Sequence, residues 1–176
     1  MNDIFDQLLK KRGISEDFLN PKYRLDLADK LPDIEKASQR IIQAVNKNET
    51  VLIYGDYDAD GMISASIVKE ALEQLGAECQ VYLPNRFTDG YGPNSSVYKY
   101  FIENQGISLI ITVDNGVAGL EAIELAQSLG VDVIVTDHHS MPEELPNAYA
   151  IVHPEHSGAD YPFKHLAGCG VAFKLA

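Results

Sequence analysis

From Thr50 onward the chain alternates short apolar runs with segments that repeat at helical period, and no other feature restricts its fold so tightly. Val51–Tyr54 is a continuous apolar run of strand length, the pattern of a strand buried on both faces. Residues 61–75 then place Ile63, Ile67, Ala71 and Leu75 on one helical stripe, with Gly76 at the stop. Cys79–Leu83 reads as a second strand. A loop rich in Pro and Gly, Pro84–Pro93, precedes a helix over Asn94–Asn104 with Gly106 beyond it. Leu109–Val113 reads as a third strand, Val117–Leu129 as a helix closed by Gly130, Val131–Val135 as a fourth strand and Ala148–Val152 as a fifth. Gly168–Ala176 reads as the opening turns of another helix. This alternation predicts an α/β fold: a mainly parallel sheet flanked by helices.

Residues 1–48 read as a short helical lead-in, and 49–176 as the α/β domain. A helix around Asp3–Lys11 ends at Gly13, Ser15-Glu16-Asp17 starts another turn, and Asn20-Pro21 and Leu31-Pro32 interrupt. A helix over Asp33–Asn46 follows, with Ile34, Ala37, Ile41 and Val45 on one face.

Composition narrows the setting. No stretch approaches the roughly 18 apolar residues of a membrane span, so no membrane partner is expected. The first residues lack the basic and apolar regions of a secretory signal. Cys79 and Cys169 form no framework, and a reducing cytoplasm is the expected location. Net charge is −12, which argues against gripping nucleic acid by bulk electrostatics. It leaves room for a nucleic-acid enzyme whose carboxylates are neutralised by metal ions.

The chemistry collects at the predicted strand ends. The first strand runs into Gly55-Asp56-Tyr57-Asp58-Ala59-Asp60-Gly61, the third into Asp114-Asn115-Gly116, and the fourth into Thr136-Asp137-His138-His139. In a parallel sheet these lie together at the carboxyl edge, where open α/β folds bind ligands. Each piece alone has an ordinary explanation: a solvated loop or helix cap, a turn, a surface His pair. Together they form a crowd of carboxylates whose mutual repulsion a divalent cation would relieve. Mixed carboxylate and imidazole ligands suit Mn²⁺, and less well Mg²⁺ or Fe²⁺. Asp58 and Asp60 are placed to serve one ion each, with Asp114 bridging two, a geometry that hydrolyses phosphate esters. Gly55 and Gly61 are expected to permit tight turns, and Gly61 to open a helix whose free N–H groups favour an anion.

With Asp58-x-Asp60, Asp114 and Asp137-His138-His139 in this order, the chain resembles the DHH phosphoesterase superfamily. The segments 54–61, 84–92, 112–116, 135–139 and 166–174 resemble successive blocks of its RecJ branch of single-strand-specific exonucleases. The resemblance spans about residues 9–176. It implies 5′→3′ hydrolysis of single-stranded DNA in recombination and repair, with two Mn²⁺ or Mg²⁺ ions. It makes a helicase or a single-strand-binding protein a candidate partner. Carried over, Asp58 and Asp60 bind separate metals, Asp114 bridges, His138 completes one sphere and Asp56 joins the first ion. Catalysis then falls to Asp114, His138 and His139. His139 contacts the scissile phosphate or orients its neighbours, Asp137 supports the histidines, and Arg86 clamps phosphate through its fork; a surface ion pair is the ordinary alternative for Arg86. Related pyrophosphatases carry His where Tyr54 stands. The resemblance also implies a further metal-binding Asp on a following strand, then a second domain and an OB-type domain. The expectation is therefore an N-terminal fragment, with a DHH domain truncated after 176 and weak or no activity of its own.

Three other readings compete. A relative could cleave oligoribonucleotides or a cyclic dinucleotide, against which the Gly-Tyr-Gly loop and the lead-in argue. A non-catalytic replication or repair scaffold is disfavoured by the intact Asp58, Asp60, Asp114, His138 and His139. A receiver-type signalling domain has an acidic pocket but no need of a His pair.

Overall fold

The computed structural model describes residues 2–22, 25–156, 158 and 160–176, with side chains from Ile4 onward. Of the predicted lead-in, Met1, Tyr23 and Arg24 lie outside the described residues. The lead-in holds α1 (Asn2–Arg12), α2 (Glu16–Leu19) and a 3-10 turn at Ala28–Lys30 that the sequence did not signal. Then follow α3 (Ile34–Asn46), β1 (Thr50–Tyr54), α4 (Ala59–Gln74), β2 (Cys79–Tyr82), α5 (Ser95–Gln105), β3 (Ile107–Val113), α6 (Leu120–Ser128), β4 (Asp132–Thr136), β5 (Ala150–Val152) and α7 (Gly168–Leu175).

The five strands pair in the order β2-β1-β3-β4-β5, and every ladder between them is parallel. Because side chains alternate across a strand, β1 sends Val51 and Ile53 to one face and Leu52 and Tyr54 to the other. The first face meets α3, α4 and α7 through Ile34, Ile41, Val68, Leu72 and Val171. The second meets α5 and α6 through Tyr98, Ala122, Ile123 and Ala126. Both faces of β1, β3, β4 and β5 are covered, which is why those strands read as largely apolar runs, whereas the edge strand β2 is only partly covered.

Two expectations need correction. The stripe Ile63, Ile67, Ala71, Leu75 does not face the core of α4. Gly61, Ser64, Ala65, Val68 and Leu72 do, while Ile63 is 51% and Leu75 56% exposed. α4 lies closely against α7, and small side chains allow that approach. The helix predicted from Val117 begins at Leu120, because the Val117 N–H is bonded to the Asp137 carboxylate and Gly116–Gly119 closes a turn.

Candidate metal centre

Four adjacent parallel strands stop on the same edge, and the residues that follow them are polar and buried. Asp56 follows β1 by two residues, while Asp114, Asp137 and His153 directly follow β3, β4 and β5. Sheet bonding carries on one step, since Asp114 N–H donates to the Thr136 carbonyl (3.0 Å) and Asp137 N–H to the Val152 carbonyl (3.2 Å). The backbone therefore fixes where these side chains start.

Asp114 is the centre. It is 1% exposed, and its φ of 62° puts a non-glycine residue in the left-handed region, a conformation that clusters at functional sites. Its Oδ1 lies 3.0 Å from His138 Nε2, yet the geometry makes no hydrogen bond and the oxygen is buried without a partner. Burial, then the charges of Asp60 and Asp58, push its pKa up to about 7. Ligating atoms of Asp114, His138 and His139 lie within 4.8 Å of one another, and so do those of Asp56, Asp58 and Asp114. Asp114 belongs to both groups.

Asp60 stands differently. Its oxygens accept the Gly168 N–H (2.8 Å) and the Cys169 N–H (2.7 Å), at the start of α7. Burial opposes its ionisation, but those N–H groups and the Cys169 thiol outweigh it and hold the carboxyl below the usual range. Its Oδ2 is 3.6 Å from His138 Nε2, although Asp60 falls in neither ligating group. Asp58 caps α4, its Oδ1 accepting the Gly61 N–H at 3.0 Å. The anion at that helix start is thus the chain's own carboxylate. Asp56 accepts the Tyr57 N–H, and burial raises its pKa.

Gly55 and Gly61 are glycine for space rather than for turning. A Cβ at Gly61 would stand 2.5 Å from the Asp56 carbonyl oxygen, and one at Gly55 2.6 Å from Leu83 Cδ2.

Asp137 is fully engaged. Its Oδ1 accepts the His138 and His139 N–H groups and His139 Nδ1–H (2.7, 3.0 and 2.8 Å), and its Oδ2 accepts Val117 N–H at 3.0 Å. Burial opposes ionisation, but the His139 and Val117 bonds prevail and lower its pKa. In return the Asp137 bond raises that of His139. With Nδ1 donating, Nε2 of the neutral ring accepts from the Tyr91 hydroxyl at 3.0 Å. Arg86 stands on the exposed loop, its guanidinium 5.7 Å above the Tyr57 ring.

Two contacts escaped the sequence reading. Tyr91 reaches His139 from the Pro84–Pro93 loop; its position in the Gly-Tyr-Gly run was the available signal. His153 is 0% exposed. Its Nδ1 accepts the Glu155 N–H, so its Nε2–H donates to the His139 carbonyl at 2.8 Å. Its place directly after a buried strand was the hint. Among the described residues no helix is long and apolar enough to cross a membrane.

Residues 50–176 match the model of the DHH family, N-terminal domain. The single-stranded-DNA-specific exonuclease RecJ of Bacillus subtilis (strain 168) is 51% identical over 143 residues, 81% of this chain and 18% of that protein. A crystal structure of exonuclease RecJ bound to manganese superposes with a TM-score of 0.75 at 31% identity, over 88% of this chain and 38% of that one. A RecJ from Thermus thermophilus in complex with Mg²⁺ gives 0.55 at 27%, over 95% and 19%. The chain spans between 18% and 30% of the length of the curated relatives it matches. The family match covers well over half of the sequence, so the chain belongs to the DHH family, and within it is similar to RecJ exonucleases.

Proposed function

We propose that this chain carries the metal centre of a 5′→3′ exonuclease that hydrolyses single-stranded DNA with two divalent ions, Mn²⁺ or Mg²⁺. One observation carries the reading: Asp114 Oδ1 is buried without a hydrogen-bond partner where two groups of ligating side chains overlap. An unpaired buried carboxylate oxygen is costly, and a cation is the partner that its carboxylate and imidazole neighbours also suit. Asp56, Asp58 and Asp114 would hold one ion; Asp114 and His138, with Asp60 3.6 Å from the His138 ring, would hold the other. When bound, the ions supply the Lewis acidity that polarises a phosphodiester and activates a water near neutral pH.

The chain's own groups do the rest. Asp137 and His153 fix the His139 ring and backbone, and Asp137 favours the protonated ring, whose Nε2–H would donate to a phosphate oxygen in place of accepting from Tyr91. Arg86 offers a planar fork to the same phosphate. Single-strand specificity follows the names of the relatives, and polarity follows the motif resemblance. The same reading makes residues 49–176 the DHH domain and 1–48 its lead-in. It places the chain in cytoplasmic DNA recombination and repair, beside proteins that unwind or coat the strand.

The test is a Mn²⁺ titration of the metal-free protein followed by electron paramagnetic resonance. We expect one or two bound ions, lost in Asp114→Ala. In Mn²⁺, 5′-labelled single-stranded DNA should release mononucleotides faster than the Asp114→Ala control does. Equal ion uptake by both proteins would sink the site, and cleavage of short oligoribonucleotides or cyclic dinucleotides alone would replace the substrate.

A further inference from the structure

Phe87 is 95% exposed, at the tip of a loop whose shape is fixed by its own hydrogen bonds. The Asp89 carboxylate accepts from the Tyr82 hydroxyl (2.7 Å), the Asn85 N–H (2.7 Å) and the Thr88 hydroxyl (2.9 Å). The Asn85 side chain accepts the Phe87 N–H at 2.9 Å, and its carbonyl accepts the Asp89 N–H at 2.8 Å. From beneath, the buried Tyr54 donates to the Gly92 carbonyl at 2.9 Å, and Asn94 Nδ2 donates to the Asp89 carbonyl at 2.9 Å. A large ring held in water on such a support calls for a ligand.

The surroundings say which kind. The loop bridges the two sides of the metal centre: Arg86 lies over Tyr57, beside Asp56, and Tyr91 reaches His139. A phosphate-binding cation and a flat apolar ring thus occupy successive positions on the rim of the site. A net charge of −12 works against bulk attraction to a phosphate backbone. Stacking can supply affinity instead, because every base has a π-face.

Resting on the proposed function, we propose that Phe87 is the base-stacking contact of the substrate strand, taking the nucleobase next to the phosphate that Arg86 holds. This favours single strands, because an internal base of a duplex has both faces covered by its neighbours.

The test uses the full chain, Mn²⁺ and phosphorothioate-linked oligodeoxynucleotides that carry 5-iododeoxyuridine at one position after another. Irradiation should crosslink one position to the peptide containing Phe87. Phe87→Ala should remove that crosslink and weaken binding by about 5- to 100-fold, the range of one lost stacking contact. An abasic residue at that position should cost the wild type the same factor and the variant nothing further, while Phe87→Trp should restore binding. A bound strand with no crosslink at Phe87, or an abasic penalty that persists in Phe87→Ala, overturns the inference alone. No strand binding by the wild type, at any concentration, overturns the proposed function and this inference together.

Discussion

Asp114 combines burial, a left-handed backbone and an unpartnered carboxylate oxygen, and its titration makes a prediction. Its pKa is raised to about 7 by burial and by the nearby Asp60 and Asp58. A raised acid binds its proton more tightly in the folded chain than in the unfolded one. Its contribution to stability is therefore complete below its unfolded pKa and lost as pH rises through about 7. A metal ion takes only the carboxylate, so binding must release that proton. Mn²⁺ affinity should fall roughly tenfold per pH unit below the folded pKa, and calorimetry at pH below that value, in buffers of different ionisation enthalpy, should show proton release. The metal-free melting temperature should rise as pH is lowered from about 8 to about 6, and Asp114→Asn should flatten much of that rise. His139, raised by Asp137, and Asp56, raised by burial, work in the same direction. Mn²⁺ affinity that is constant between about pH 6 and 8 would contradict this account of Asp114.

The start of α7 does at element scale what Asp114 does at residue scale. Its first N–H groups hold Asp60, and Gly168 lets the helix come up against the candidate metal centre. A Cβ there would stand 2.2 Å from Asp114 Oδ1, whereas one at Gly170 would meet only Leu166, nearest at 3.0 Å and at the end of a flexible side chain. Gly168→Ala should therefore displace Asp114 or α7, costing about 1–3 kcal/mol as overpacking does, and should lower Mn²⁺ affinity at least tenfold. Gly170→Ala should leave ion binding intact. Thermal unfolding and the same Mn²⁺ titration check both, and equal behaviour of the two variants would show that the close approach is unimportant.

The helix start at Gly168 was legible in the sequence, but its contact with Asp60 was not, because it joins residues 108 apart. The inner strands were legible, since a strand covered on both faces is apolar nearly throughout. The buried face of α4 was not: it is lined by Gly61, Ser64 and Ala65, and hydrophobicity alone ranks the exposed Ile63 and Leu75 above them. Likewise the strand-end carboxylates and histidines could be found by counting along the chain, but the contacts of Tyr91 and His153 exist only once the loops are folded over the edge.

For the whole molecule, the sheet brings Asp56, Asp58, Asp60, Asp114 and Asp137, five of the acidic residues behind its net charge of −12, to one edge. On the proposed function, the field at that edge would repel a phosphate strand until cations are bound, while Arg86, which stands over the Tyr57 ring, would supply a local positive contact. Strand binding should then depend strongly on the divalent ion and weakly on salt. Releasing counterions from about one phosphate gives a slope of log affinity against log salt near −0.7 for a single strand, against about −4 for a protein that neutralises six. Anisotropy titrations of a labelled single strand across salt concentrations, at fixed Mn²⁺, measure that slope. Chelation should abolish binding at every salt concentration. Binding that survives chelation, or a slope steeper than about −2, would mean that a basic surface rather than the metal centre holds the strand.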